Sequence, residues 1–446
     1  MGRGIDPACR PVLETLTIGN HWSTRSTLPA GTRSPMQLPS AVKSLAEACR
    51  DAGGTAWVVG GRVRDALMGL DSKDIDVEVH GIEGADLHEL LATLGPVNEI
   101  GKSFGVFKVV IEKIPMDVSI PRRDSQVGPG HKDITVQGDP HMGIEEAARR
   151  RDLTINAIAY DPLTGEYADP FGGIHDIERG RLSAVDSMTF MEDPLRALRV
   201  VQFSARFGFG IHDSLMDLCR SARLTSLPAE RIWGEFEKLL MRSPAPSIGW
   251  EAGMICGTLK QVLPEAATQP RAQIEAALDR AAELREDMDC PGRRTALMVA
   301  VMLHQLSPKE AEASLDRLKL FRLHDTPVRK RVLEAIQHWP ALAEARTTPE
   351  LLALADETEI FLVASVAWAI SGRQEALRNI DTAFRLGVSH EPLPPLLTGK
   401  DLSQLGVSTG PQMGQLLSKL RSAQLAEEVS DKAQAIQWVK RTVQED

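Results

Sequence analysis

The chain has 446 residues, enough for several domains, because a single hydrophobic core rarely grows past ~250 to 300 residues. Its formal charge of -10 excludes a surface coated in positive potential for indiscriminate nucleic-acid binding, while leaving room for a local basic site. Five cysteines, odd in number and without CxxC spacing, exclude a disulfide framework or a zinc site and suit reduced thiols in a cytoplasmic protein.

Residues 1–35 mix Pro, Gly, Ser, Thr and Arg without periodicity or a continuous apolar stretch, so they read as a disordered extension, with Met36 an alternative start. From Leu38 to Ala52 the spacing predicts an amphipathic helix, and "TAWVVGG" then reads as a strand ending in two glycines. Further strands are expected at "KDIDVEV", "FGVFKVVI" and "MDVSI", with a helix near "GADLHELLATLG" between them. Beyond about Asp186 the strand signals stop, and long helical patterns such as "DPLRALRVVQFSARFG" and "AERIWGEFEKLLMR" take over. The longest apolar run, Ile360 to Ile370, falls far short of the ~20 residues that a membrane-spanning helix needs and reads as a buried helix. A Pro-rich break, "SHEPLPPLLTGKD", marks a boundary before a last helical unit.

The first strand and its return carry the chemistry. Gly60 and Gly61 lack Cβ, so a ligand can approach the backbone amides there, and the helix that follows turns its positive end to the same place. Two readings stand side by side, a plain tight turn and a cradle for a triphosphate; GxGxxG and GxxxxGK[ST] are both absent from this stretch. Asp74 and Asp76 are two apart, so on a strand they share a face while Ile75 and Val77 point to the core. Adjacent carboxylates repel unless a cation binds them, and Mg²⁺ takes hard oxygen ligands together with phosphate oxygens. A solvated strand face is the other reading. In "PMDVSIPRR", Asp117 alternates with apolar neighbours and is either an edge-strand charge or a third carboxylate facing the same cleft. The basic runs "ARRRD" and "SIPRRD" are candidate phosphate contacts or solvated helix ends.

In order along the chain, "VVGGRVRDALMGLDSKDIDVEV", "RRDLTINAIAYD", "DPFGGIHDI", "EDPLRALRVVQFSARFGF" and "ERIWGEFEKLL" together resemble the class II tRNA nucleotidyltransferases, or CCA-adding enzymes, with the related bacterial poly(A) polymerases. The resemblance covers about Trp57 to Leu240 and implies an α+β fold, with a nucleotidyltransferase head built on a small mixed sheet, followed by an all-α neck, body and tail. The expected divisions are an extension over 1–35, the head over 36–185, a neck for base selection and RNA binding over 186–250, a body over 251–385 and a tRNA-binding tail over 386–446. It implies Mg²⁺ on Asp74 and Asp76; Asp117, on its neighbouring strand, is read as an orienting residue or base. It implies nucleotide binding at Gly60, Gly61 and Arg64, contacts to triphosphate and ribose from Arg151, Asp152 and Asn156, and a further nucleotide contact from Arg199. The partners implied are tRNA, with CTP and ATP as substrates.

"EDPLRALR" resembles the segment that selects the base. Asp193 and Arg196 are three apart, which on a helix sets an acceptor-only carboxylate beside a donor-only guanidinium. Cytosine and adenine each present an amino donor next to a ring-nitrogen acceptor, whereas uracil and guanine offer a carbonyl beside an N–H. One Asp–Arg pair then accepts CTP and ATP and rejects the others, whose mismatch leaves buried polar groups unpaired. An N-cap and an ordinary ion pair are the plainer uses of the same residues.

Residues 120–143, rich in glycine and proline and without clear period, resemble the flexible loop that family members use when switching from C to A addition. Three further features choose among relatives. "VAVMLHQL" has Gln305 after His304 and no companion histidines, so no HD phosphohydrolase is expected and His304 reads as core. "EIGKSFGVFKVV" replaces the basic "GRRF"-like stretch of poly(A) polymerases, which favours the tRNA enzymes. The tail, with Gly399, Asp401, Leu402, Gly406, Gly410, Pro411 and Gly414, resembles the C-terminal segment of CCA-adding enzymes. The expected function is template-free addition or repair of the tRNA 3′ CCA. The alternatives are poly(A) addition, a partial CC-adding or A-adding enzyme, and, in a different class, a non-catalytic RNA-binding protein. Oligomeric state stays open.

Overall fold

The computed structural model describes residues 36–99, 106–126, 134–323 and 325–445. The expected disorder of residues 1–35 lies outside them. The described chain falls into two compact units, one made of residues 36–227 with 255–261, the other of 228–254 with 262–445.

The first unit is built on a seven-stranded mixed sheet. Helix α1 (Ser40–Asp51) buries Ala41, Val42, Leu45 and Cys49 on one stripe, as the heptad-like spacing predicts. Strand β1 (Thr55–Val59) leads through Gly60 into α2 (Gly61–Leu67), and β2 (Asp76–His80) returns antiparallel to β1. Helix α3 (Gly84–Leu94) then precedes β3 (Val97–Glu99), β4 (Val106–Ile111) and β5 (Ile114–Ser119). Buried and outward residues alternate along β4 and β5, the period of a half-buried strand. The sheet runs β3-β4-β5-β2-β1 and then two short strands, β8 (Ala159–Tyr160) and β9 (Tyr167–Ala168). Only the β2–β5 pairing within it is parallel.

Two sequence expectations need correction. Between β5 and α4 (Ile144–Arg149) the chain forms a hairpin, β6 (Arg122–Gln126) against β7 (Ile134–Gly138), where the sequence reads as a loop without period. Its first arm has no apolar residue, so the strand is defined by its backbone ladder and not by a pattern in the sequence. Residues 127–133 of the expected loop lie outside the described residues. Strand pairing also continues past Asp186, because β10 (Arg181–Leu182) pairs in parallel with β11 (Gly210–Ile211).

Helices α5 (Gly173–Glu178), α6 (Ser187–Glu192) and α7 (Leu195–Phe207) complete the part of this unit that matters for the site. The "DPFGGIHDI" stretch makes a support. Asp169 accepts the Gly173 and Ile174 N–H groups at the start of α5, and Thr154 donates its hydroxyl to Asp176 at 2.6 Å. No side chain fits at Gly173, because a Cβ there would strike the Thr154 carbonyl.

The second unit is helical. Its centre is the apolar helix Ile360–Ser371, with ten buried residues, which packs against the helices Arg271–Leu284, Pro291–Leu303, Val328–Glu344 and Gln374–Leu386. His304 is a core residue as expected, buried and bonded through Nδ1 to the Val301 carbonyl, with burial pushing its imidazole below the ordinary range. Near its C-terminus, helices Gly399–Gln404, Pro411–Leu425 and Lys432–Glu445 share a small core of Leu402, Met413, Leu416, Leu420, Ala435 and Val439. A capping box of Thr398 and Asp401 starts the first of these, and Lys432 reaches Asp401 at 2.7 Å. Among the described residues no helix is long and apolar enough to cross a membrane.

Candidate active site

The site forms where β1 ends and β2 begins. Gly60 has φ 70° and ψ -134°, a left-handed backbone that favours glycine, and it caps α2 without a side chain in the way. A Cβ at Gly60 would stand 3.3 Å from Arg151 Nη1 and 3.6 Å from Asp76 Oδ2, so the turn, the guanidinium and the carboxylate crowd round one point. Gly61 is the first residue of α2.

Asp76 pairs in register with Asp117 across the parallel β2–β5 ladder, which puts both side chains on one face. Asp74 sits two residues ahead on an exposed segment that the ladder does not include; the last β5 bond there is from Asp117 N–H to the Ile75 carbonyl. Burial pushes the Asp76 carboxyl above its ordinary value, Arg151 pulls it down, and Asp117 and Asp74 push it up again. Lys108 stands 3.7 Å from Asp117, and both are about half exposed. Among the described residues no cluster of three or more His, Cys, Asp or Glu can hold a metal ion by itself. The residues nevertheless fit Mg²⁺. The donors are hard carboxylate oxygens, their mutual repulsion is what a cation relieves, and Mg²⁺ characteristically takes one or two carboxylates with water and phosphate for the rest.

Behind this cleft lies a buried polar network. Arg64 is 4 % exposed and forks onto Asp65 Oδ1 through Nε and Nη2 at 2.8 and 2.7 Å, while its Nη1 donates to Asn156 Oδ1 at 2.6 Å. Its guanidinium also lies 5.1 and 4.8 Å from the Phe203 and Phe207 ring centroids. Asn156 donates onward to Asp152 at 2.9 Å, and Arg199 closes the chain by donating Nε to Asp152 Oδ2 at 2.7 Å. Burial pushes the Asp152 carboxyl up, but Arg199, Asn156 and the Leu153 N–H together hold it below the usual carboxylate range. Arg64, Asp152, Asn156 and Arg199 are therefore brought together with one another, and Arg151 is the member of the predicted set turned to the Gly60 turn.

Asp193 and Arg196 lie at the start of α7. Asp193 has extended backbone, φ -125° and ψ 102°, and accepts the Leu195 N–H at 3.1 Å, so it precedes the helix rather than sharing a helical face with Arg196. The Arg196 guanidinium donates Nη1 to the Thr189 carbonyl at 2.6 Å and Nη2 to the Arg150 carbonyl at 2.8 Å. Its second anchor joins α7 to the residue beside Arg151.

Sequence reasoning passed over Glu78. It follows Asp76 by two residues on the same face of β2 and is 8 % exposed. The signal was already present in "DIDVEV", where the third acidic residue falls in step with the first two.

A mixed-sheet head with a glycine turn facing paired carboxylates defines a nucleotidyltransferase class of protein, and residues 56–183 match the Poly A polymerase head domain. Residues 293–439 match the family described as tRNA nucleotidyltransferase domain 2, putative. Pseudomonas putida (strain W619) has a CCA-adding enzyme 35% identical over 270 residues, which are 59% of this chain and 68% of that one. The multifunctional CCA protein of Shewanella denitrificans is 39% identical over 216 residues, 47% of this chain and 50% of that protein, so the match spans half of that relative's length. In fold, the chain is similar to the Thermotoga maritima CCA-adding enzyme solved in complex with tRNA, at 21% identity and a TM-score of 0.67, covering 91% of this chain and 95% of that one. The chain belongs to the CCA-adding enzyme family of tRNA nucleotidyltransferases.

Proposed function

We propose that this protein adds or repairs the 3′-terminal CCA of tRNA from CTP and ATP, without a nucleic-acid template and with release of pyrophosphate. The observation that carries the reading is the convergence of the Gly60 turn, Arg151 and Asp76 on one point, with Asp117 in register beside Asp76, in a chain of this family. The RNA 3′-hydroxyl attacks the α-phosphate of the nucleotide, and pyrophosphate leaves in line. Gly60 and Gly61 let the triphosphate approach the backbone, and Arg151 offers it charge-assisted hydrogen bonds. Asp74 and Asp76 would hold Mg²⁺, which supplies charge stabilisation to the attacking and leaving oxygens. Asp117 orients the attacking hydroxyl or takes its proton.

Arg64, Asn156, Asp152 and Arg199 act as one unit in this reading, fixing the wall against which ribose and phosphate settle. Asp193 and Arg196 read the base edge. The tail helices bind tRNA by shape and phosphate contacts, as proteins characteristically treat RNA helices, so binding weakens as salt rises. The cytoplasm, where tRNA and both nucleotides meet, is the proposed place of action.

One experiment tests the function. The protein is incubated with tRNAs ending before CCA, after C and after CC, with CTP and ATP singly and together, and with an unrelated RNA for comparison. One A after CC supports the reading. A long A tract on any RNA makes the protein a poly(A) polymerase, and no incorporation leaves it an RNA-binding protein.

A further inference from the structure

Glu78 sits between two cationic or ring partners that tie β2 to the segment delivering Arg151. On one side its Oε2 is 4.0 Å from Arg151 Nη2; on the other its Oε1 is 3.3 Å from His80 Nε2. His80 in turn bonds through Nδ1 to the Met142 carbonyl at 2.8 Å, just ahead of α4, and Arg151 follows α4 at its other end. The strand thus grips both flanks of the helix, at Met142 through His80 and at Arg151 through Glu78. Arg151 itself is one-third exposed, and its Nη1 is the atom nearest the Gly60 turn. One end of the guanidinium faces a buried carboxylate while the other faces the cleft. A free arginine side chain has many rotamers to lose, so a fixed anion behind it lowers the ordering needed when phosphate arrives.

We infer that Glu78 is a positioning residue for nucleotide binding, one that acts by aiming Arg151 across the Gly60 turn at the triphosphate. The inference rests on the proposed nucleotidyl-transfer reading for the identity of the ligand. Glu78 needs no contact with substrate to do this, and its loss should be felt in nucleotide affinity and only through Arg151. A merely structural carboxylate would instead change folding stability and leave affinity alone.

The test is a double-mutant cycle on CTP binding, measured by calorimetry in wild type, Glu78→Gln, Arg151→Ala and the double variant, with a thermal melt of each. Glu78→Gln should weaken CTP binding about 5- to 10-fold, the range expected for coupled neighbours, and should add less than about twofold once Arg151→Ala is present. With saturating CTP, kcat on tRNA should stay within about threefold of wild type, because the loss is in binding. Unchanged CTP affinity in a folded Glu78→Gln overturns the inference, and so do losses that multiply in the double variant. Should Glu78→Gln fail to fold, Glu78→Asp replaces it, keeping the charge one methylene further back; an intermediate loss that vanishes without Arg151 supports the role, and no loss or a multiplying one overturns it. Because affinity is read without turnover, a protein that binds CTP yet adds nothing to tRNA would fail the functional reading and leave this comparison decided on its own terms.

Discussion

Asp76 and Asp117 stand opposite each other on the two parallel strands of the sheet, with Arg151 and the Gly60 turn against Asp76. The fold therefore holds a half-buried carboxylate with two others beside it and Arg151 as its counter-charge, an arrangement that costs stability unless a ligand relieves it. Asp76→Asn should lower nucleotide addition by at least ~10²- to 10³-fold, the scale on which preorganised electrostatic groups act. The melting temperature of the same variant at neutral pH should hold or rise. Addition assays beside thermal melts check both, and the opposite pattern, activity kept with stability lost, would remove Asp76 from the chemistry. Asp74→Ala should likewise abolish addition in a folded protein.

Asp152 supplies the pH dependence. Its carboxyl is held below its ordinary value in the folded state, chiefly by Arg199 and Asn156 against the upward push of burial. A depressed folded value means that the group contributes stability above the unfolded pKa of ~3.9 and loses it as pH falls through the folded value. Asp152→Asn should therefore destabilise the protein at pH 7 by about 2 kcal/mol, moderated because Arg199 is one-third exposed. The gap between wild type and variant should narrow once pH falls below ~4. Urea unfolding at pH 7 and at pH 3.5 measures it, and a gap independent of pH would show that the ion pair contributes nothing.

The hairpin β6–β7 lies between strand β5 and α4, so shortening it changes how the segment before Arg151 is tethered. Removing residues 127–133 should spare addition of the two C residues and abolish addition of the final A. Stepwise products on tRNAs ending before CCA and after CC distinguish the outcomes. Equal loss of both steps would separate the hairpin from the switch between nucleotides.

The strands of the sheet were legible because alternation is a local signal. Val106–Ile111 and Ile114–Ser119 show it in both sequence and burial. The first hairpin arm was not, since "RRDSQ" has no apolar face to alternate. Strands of two residues, such as Ala159–Tyr160, are too short to carry a period at all. Among site residues, the glycines and Asp76 could be read from local spacing, whereas Arg64 meeting Asn156 joins positions 92 residues apart and Arg199 meeting Asp152 joins positions 47 apart. Such partners are settled by tertiary packing, and a single sequence holds no local trace of them. Glu78 is the different case, for its alternation was visible and its use depends on where α4 brings Arg151.

The segment Asp193–Arg196 carries the prediction with the most chemical content. Arg196 is fixed by two backbone carbonyls, from Thr189 and Arg150, so its plane is set before any base arrives. Asp193 is fixed by the Leu195 N–H at the mouth of α7. A fixed guanidinium and a fixed carboxylate at the start of α7 can discriminate by hydrogen bonding, because a mismatched base edge leaves polar groups unpaired. Asp193→Ala should cut the preference for CTP and ATP over UTP and GTP by about 10- to 100-fold, more through lost selection than through lost folding. Arg196→Lys should do the same, since an ammonium cannot span two carbonyls and present a planar edge together. The measurement is kcat/KM for all four nucleotides on a tRNA ending before CCA, and selection unchanged in Asp193→Ala would assign Asp193 to capping α7 alone.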